Sequence, residues 1–199
     1  MANSKVIWSE GMFLRPQHFQ QQDRYVERLV EARTAAFGAY AWGLLEFGFD
    51  QELLDLGKLS IVRMRGIFPD GTPFSIPEED PLPKVLELPL NTADERIYLC
   101  IPLRRPGSRD IDEQNPDSEL TRYRKSPTAV RNSTSRSGEE TEIDTGQLNI
   151  SLKPGSDDLS GYAAIPIAHV LERRQDKPLK LANQFIPPML DCAAHPELR

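Results

Sequence analysis

The spacing of apolar residues predicts one long helix near the beginning of the chain. No glycine or proline interrupts residues 17–37, and Pro16 stands where a first helical turn tolerates its missing amide hydrogen. Apolar residues recur in this region at spacings of three, four and seven, which places them along one stripe of a helix: Phe19, Val26, Leu29, Val30, Ala36, Phe37 and Tyr40. Gly38 fits the end of this helix, and such a stripe is typical of a helix that covers a sheet.

After Tyr40 the pattern changes to short apolar runs between turns, which predicts strands. Residues 120–125 and 147–154 alternate regularly, whereas residues 95–103 are almost continuously apolar, as in a strand buried on both faces. The Pro-Asp-Gly sequence at 69–71 predicts a hairpin, because glycine accepts the positive backbone angle of such a turn. The remaining predicted strands lie within 42–50, 58–68, 161–173 and 180–188.

Two polar stretches connect these strands. Residues 104–119 are predicted to form a long exposed loop, and residues 131–146 either a similar loop or the polar tip of a hairpin. About eight short strands behind one helix predict a mainly β protein, a β-sandwich with the N-terminal helix packed on it. The helix is expected at about 17–37 and the sandwich at about 42–188.

Composition supports this fold class and excludes several functions. The 17 prolines among 199 residues favour short strands and turns over long helices. The formal net charge of −6 removes the long-range attraction to phosphate on which nucleic-acid binders rely. No secretion signal and no apolar run of membrane-spanning length is present, which predicts a soluble cytoplasmic protein.

Candidate catalytic and metal-binding residues are few. Cys100 and Cys192 lack zinc-ligand spacing, and we expect two buried free thiols rather than a disulfide. None of the three histidines, His18, His169 and His195, belongs to a recognisable motif. We therefore expect no enzyme activity, no cofactor and no metal. A hydrolase is the alternative, and it would lose activity when His18 or His169 is changed.

The opening segment is the unusual feature of this sequence. A chain end is normally polar and frayed, but here bulky apolar residues surround one glycine and one proline and are followed by three glutamines. Residues 8–27, "WSEGMFLRPQHFQQQDRYVE", resemble the N-terminal signature of the TssK family, a baseplate component of bacterial type VI secretion systems. Residues 183–190, "NQFIPPML", resemble the segment that closes the first domain of that family. The resemblance covers the whole chain.

The resemblance implies a fold, partners and a location. Members of the TssK family are trimers whose N-terminal β-sandwich is similar to the shoulder domain of siphophage receptor-binding proteins. This shoulder docks onto the TssF/TssG wedge, and the C-terminal part contacts TssL and TssM of the inner-membrane complex. Residues 1–190 would then be the shoulder domain, and residues 191–199, with Pro196 at a helix start, would begin a truncated helical domain. The expected location is the cytoplasm, peripheral to the inner membrane of a Gram-negative bacterium.

Two interpretations of the opening segment remain open. In the first, nine residues lie at a contact with another protomer or with the wedge, where aromatic and Met side chains contribute most of the binding energy: Trp8, Met12, Phe13, Arg15, His18, Phe19, Gln20, Gln21 and Gln22. In the second, Trp8 and Phe13 only staple the helix start to the sandwich. A carbohydrate-binding sandwich of the phage or lectin type is the alternative function.

Overall fold

The computed structural model describes residues 4–36, 38, 40–105, 109–115, 118–134, 138–174, 177–195 and 198. The chain divides into two compact units, Met1–Ala41 and Trp42–Arg199, and each is considered by itself.

The first unit consists of an extended lead and one helix, α1 (Pro16–Ala35). The helix begins after Arg15, whose backbone is extended and whose amide donates to Nδ1 of His18 at 3.0 Å. Past its end, Gly38 has a φ of 147°, which favours glycine. The predicted helix is therefore confirmed, although Phe37 lies outside the described residues. No residue of α1 is buried.

The second unit is built from short strands. In chain order its elements are β1 (Gly43–Phe49), α2 (Gln51–Asp55), β2 (Lys58–Leu59), β3 (Ile61–Ile67), β4 (Pro73–Ile76), β5 (Leu86–Glu87), β6 (Ala93–Pro102), β7 (Tyr123–Arg131), β8 (Glu140–Leu148), β9 (Ser151–Pro154), β10 (Tyr162–Glu172), β11 (Lys180–Leu181) and a 3-10 turn (Cys192–Ala194).

Antiparallel pairing arranges these strands in two main sheets. One has the order β1-β3-β4 and the other the order β11-β10-β6-β9. Strands β2 and β5 form a small separate pair, and β7 and β8 form a two-stranded ribbon. The predicted hairpin is confirmed, because β3 and β4 pair across the turn that contains Gly71, whose φ is 84°.

The two main sheets share one hydrophobic core. Leu44, Met64 and Phe74 of the first sheet belong to the same buried cluster as Leu99 and Ile165 of the second. Strand β6 lies between β9 and β10, and Ile97, Leu99, Cys100 and Ile101 are fully buried there. The continuous apolar run at 95–103 was thus a correct signal for a strand covered on both faces. The prediction of a mainly β sandwich with an N-terminal helix is confirmed.

Several element boundaries differ from the predictions. Residues 147–154 are divided between β8 and β9, and residues 180–188 contain only the short strand β11. The run at 120–125 begins in a turn, since Thr121 and Arg122 are buried polar residues that precede β7. Helix α2 was not predicted, although Asp50 is a regular cap whose carboxylate accepts from the Leu53 amide at 3.1 Å.

The two cysteines are free thiols, as predicted, but only Cys100 is buried. The expectation that Cys192 is buried is wrong, because this residue lies in the exposed 3-10 turn. Among the described residues no helix is long and apolar enough to cross a membrane.

Candidate protein-interaction site

The lead of the first unit is tied to α1. The Gln21 side chain donates from Nε2 to the Ser4 carbonyl at 2.8 Å, which joins residues 17 positions apart. A turn at Gly11, whose φ is 76°, is closed by a bond from the Met12 amide to the Ser9 carbonyl at 3.2 Å. These bonds bring the apolar side chains of the lead beside the first turns of the helix.

Three rings of the first unit lie together. The Trp8 ring centroid is 6.3 Å from that of His18 and 6.2 Å from that of Phe19, and both pairs are tilted. Trp8 remains 48% exposed and Phe19 53% exposed, so these contacts leave about half of each ring uncovered. Phe13, 84% exposed, is the most open of the aromatic candidates.

A shallow depression of about 480 Å³ lies beside this cluster. Its lining mixes aliphatic side chains of the lead with polar side chains of the helix: Val6, Ile7, Met12, Gln17, His18, Gln21 and Arg24. Arg24 donates to Oε1 of Gln21 at 3.2 Å, so the polar wall is held by hydrogen bonds. The depression therefore combines an apolar floor with amide and guanidinium groups, a chemistry suited to an anchoring side chain of another protein.

The other candidates have different surroundings. Gln20 and Arg15 are exposed, whereas Gln22 is half-buried. Oε1 of Gln22 is buried and has no hydrogen-bond partner among the described residues. The structure thus brings Trp8, Met12 and Gln21 to one small region together with His18 and Phe19. The assignment of the nine residues to an interface stays a prediction.

The nine candidates omit two exposed apolar residues of the lead, and the helix stripe named from the sequence is also exposed. Ile7 and Leu14 flank the predicted set and are 74% and 53% exposed. Val26, Leu29 and Val30 of the helix stripe are 46%, 45% and 59% exposed. Ile7 and Leu14 could have been found from the adjacent apolar residues in "VIW" and "MFL", which give the lead more bulky side chains than a frayed terminus needs.

Each histidine of the second unit contacts one neighbouring side chain closely. His169 Nε2 is 2.7 Å from Asp94 Oδ1, and His195 is buried and stacks on Phe47 with centroids 5.5 Å apart. Both line a cavity of about 330 Å³ whose other walls are largely apolar. Among the described residues no group of three or more His, Cys, Asp or Glu side chains could hold a metal ion.

Comparison with known proteins places the chain in a family. The family model described as bacterial type VI secretion, EvfL, ImpJ and VasE, matches residues 18–199. The chain is also 43% identical over 196 residues to the type VI secretion system baseplate component TssK1 of Pseudomonas aeruginosa. This chain belongs to the TssK family. The match covers 98% of the chain but only 44% of TssK1.

Solved structures of TssK proteins share the fold. A crystal structure of TssK superposes with a TM-score of 0.91 at 35% identity, over 99% of this chain and 45% of that one. The TssK–TssF–TssG baseplate subcomplex, solved by cryo-electron microscopy, contains a chain that superposes with a TM-score of 0.85 at 26% identity. That superposition covers 98% of this chain and 65% of the other.

The family model matches only part of the candidate site. It begins at residue 18, so His18, Phe19 and the three glutamines lie inside it. Trp8, Met12, Phe13 and Arg15 lie before it, although the alignment with TssK1 covers 98% of the chain.

Proposed function

We propose that this chain is the N-terminal docking part of a non-enzymatic adaptor of the type VI secretion baseplate, and that its partner is the TssF/TssG wedge. The observation that carries the proposal is the similarity, over 98% of the chain, to the TssK chain of a TssK–TssF–TssG subcomplex. In this proposal specificity comes from shape and from several weak contacts, and no reaction is catalysed.

The opening segment is the proposed docking surface. Trp8, Phe13 and Phe19 each expose roughly half or more of their side chain. Buried aromatic anchors typically dominate the energy of an interface. The neutral glutamines that follow can bond backbone groups of a partner without the desolvation cost of a charge.

Residues 1–190 form the shoulder domain in this proposal, and residues 191–199 begin a helical domain. The complete protein is a homotrimer, and three copies of a weak docking surface multiply the overall affinity. Its remaining part contacts TssL and TssM, which places the protein in the cytoplasm beside the inner membrane.

Affinity capture with the purified TssF–TssG pair tests this proposal. Trp8→Ala and Phe13→Ala are each expected to weaken binding by about 30-fold, the loss that corresponds to truncation of a hot-spot residue worth about 2 kcal/mol. The matched control is Tyr40→Ala, since Tyr40 is an aromatic residue outside the nine candidates and is 88% exposed. Circular dichroism of each variant checks that the fold is kept.

The possible results separate the adaptor role from the docking surface. If the parent chain does not bind TssF–TssG at all, the adaptor proposal for this part of the protein is wrong. If the parent binds and both aromatic variants bind equally well, the adaptor role stands and the opening segment is not the docking surface.

A further inference from the structure

The cavity that contains His169 and His195 lies where separate segments of the second unit meet. Its described lining comes from β1, the first residue of α2, the second half of β10, residues 181–187 and His195. Residues 183–187 belong to the stretch "NQFIPPML", which the proposed docking surface does not include. The described lining likewise includes none of the nine candidate residues of the opening segment. The cavity is therefore distinct from that surface.

Burial of the lining gives this cavity a closed inner end and an open mouth. Ile167 and Ala168 are only 1% and 3% exposed, so they form its apolar inner end. Phe185 is half-buried, whereas Gln51 and Asn183 are exposed. A ligand that enters from solvent thus passes two side-chain amides before it reaches apolar side chains.

Aromatic rings make up much of the lining, and they are held by one another. Phe47 stacks on His195 with ring centroids 5.5 Å apart and meets the edge of Phe49 at 6.0 Å. Phe185 meets His169 edge-on at 6.2 Å. Rings that already have fixed neighbours lose little conformational freedom when a ligand binds, and this favours affinity.

Hydrogen bonds fix the wall formed by residues 181–187. The Ala182 amide donates to the His169 carbonyl at 2.8 Å, and the Phe185 amide donates to the Ala182 carbonyl at 3.1 Å. The His169 ring is itself held by the bond between its Nε2 and Asp94 Oδ1 at 2.7 Å. The cavity is thus formed before a ligand binds, as in most small-molecule sites.

The chemistry of the lining selects an uncharged ligand. Among the described residues the lining includes no Asp, Glu, Lys or Arg side chain. A charged group in such surroundings would lose its hydration without gaining an ion pair. Aromatic rings, in contrast, gain edge-to-face or offset contacts with other rings beyond the burial of apolar area. The volume of about 330 Å³ is within the range of about 300–1,000 Å³ that is usual for ligand pockets.

We propose that this cavity binds one uncharged aromatic ring, which packs against Phe47, Phe49 and Phe185. A polar substituent of the ring, or the backbone that carries it, bonds the Gln51 and Asn183 amides at the mouth. The ring belongs either to a free small molecule or to a side chain of the proposed partner TssF–TssG. The inference goes beyond the docking role and does not depend on it, because the described lining lies entirely in the second unit.

Saturation-transfer NMR titrations with four single-ring probes test this proposal on the purified chain at about pH 7. Phenol is the uncharged aromatic probe, and it is expected to bind in a saturable manner. Cyclohexanol has the same ring size and hydroxyl group without aromaticity, and it should bind at least about threefold more weakly. Benzylamine and benzoate carry a positive and a negative charge, respectively, and should also bind more weakly than phenol.

Two substitutions remove a ring from the lining and keep an apolar side chain in its place. Phe49→Leu and Phe185→Leu lie on different segments, and each is expected to weaken phenol binding at least about threefold. The matched control is Ile186→Leu, since Ile186 neighbours Phe185, is 42% exposed and lies outside the described lining. Circular dichroism checks that each variant keeps the fold.

Three results would each overturn the proposal. They are the absence of saturable phenol binding, equal or tighter binding of cyclohexanol or of a charged probe, and equal phenol affinity of the parent and both Leu variants.

The source of the ring is decided by repeating the phenol titration on the complex with TssF–TssG. Loss of phenol binding identifies the ring as a partner side chain, and unchanged binding identifies it as a free molecule, so both results support the site. Failure of the chain to bind TssF–TssG contradicts the proposed function only, since the titration of the chain alone still tests the cavity.

Discussion

Arg122 is a buried polar residue that connects separate parts of the sandwich. Its guanidinium is 3% exposed and donates to the Pro102 carbonyl at 2.6 Å and to Asp70 Oδ2 at 2.8 Å, and it also contacts the Thr72 hydroxyl. These partners lie at the end of β6 and in the turn between β3 and β4. One side chain, directly before β7 in the chain, therefore connects the two main sheets.

Replacement of this residue should be strongly destabilising. Arg122→Ala removes the cation that faces Asp70 Oδ2 and the side-chain donor to the Pro102 carbonyl, and we expect a loss of about 3–5 kcal/mol in the free energy of unfolding. Urea denaturation measures the loss. Arg63→Ala is the control, since its ion pair with Glu46 is 64% and 42% exposed and should contribute less than about 1 kcal/mol. Equal effects of the two changes would contradict this role of Arg122.

The buried thiol gives a prediction about pH. Burial raises the pKa of the Cys100 thiol to about 12, from an ordinary value of 9.0. The unfolded state therefore loses its proton first, so the contribution to stability is complete below pH 9 and is lost as the pH rises toward 12. We expect the parent to lose about 1 kcal/mol more than Cys100→Ala between pH 8 and pH 10.

Urea denaturation gives the free energy of unfolding of the parent and of Cys100→Ala at each pH. The difference between the two pH dependences removes the effect of other groups that titrate in this range. The same pH dependence of the unfolding free energy in both proteins would mean that the native thiol ionises at its ordinary pKa. Iodoacetamide provides a second measurement, because exposed Cys192 should react in the native protein at pH 8 while Cys100 reacts only after unfolding.

At the scale of the element, close packing of β1 against β3 depends on a glycine. A Cβ at Gly66 would lie 2.4 Å from the Gly43 carbonyl oxygen, a backbone atom that cannot move aside without shifting the strand. Gly66→Ala should therefore lower the free energy of unfolding by at least about 2 kcal/mol. At Gly48 the nearest atom would be a flexible Arg63 side-chain carbon at 3.4 Å. Thermal unfolding of both variants checks this, and a Gly66→Ala protein no less stable than Gly48→Ala would contradict it.

Elements with strong local signals were predictable from the sequence. Neighbouring residues are enough to specify three of them: the stripe of α1, the glycine turn between β3 and β4, and the apolar run of β6. The outer part of β7 does not, because Ser126, Pro127 and Thr128 have no apolar alternation. That part of the strand exists through its pairing with β8, which lies nine or more residues away in the chain.

The candidate site was predictable in composition but not in geometry. Exposed aromatic residues at a chain end identify the lead. Their arrangement depends on the bond between Gln21 and Ser4 and on the ring contacts of Trp8, and neither pattern nor spacing specifies such contacts. The burial of His195 against Phe47 was unpredictable for the same reason, since 148 positions separate the two residues in sequence (195 − 47).

At the scale of the whole molecule, the second unit is closed by a contact between its first and last segments. The Leu44 amide donates to the Pro188 carbonyl at 2.8 Å, and the Leu190 amide donates to the Leu44 carbonyl at 2.7 Å. Leu44 and Met189 are thereby joined in a parallel bridge beside the edge of β1. Gly43 permits this approach, since a Cβ there would lie 2.8 Å from the Pro188 oxygen.

We expect this bridge to resist mechanical load on the second unit. Tension applied at residues 42 and 191 pulls two parallel segments past each other, so both hydrogen bonds resist in shear and rupture together instead of opening one at a time. Single-molecule stretching between these positions should give a lower rupture force for Gly43→Ala than for the parent, and equal forces would locate the resistance elsewhere. With such a clasp the second unit would not unravel from either of these two ends under load.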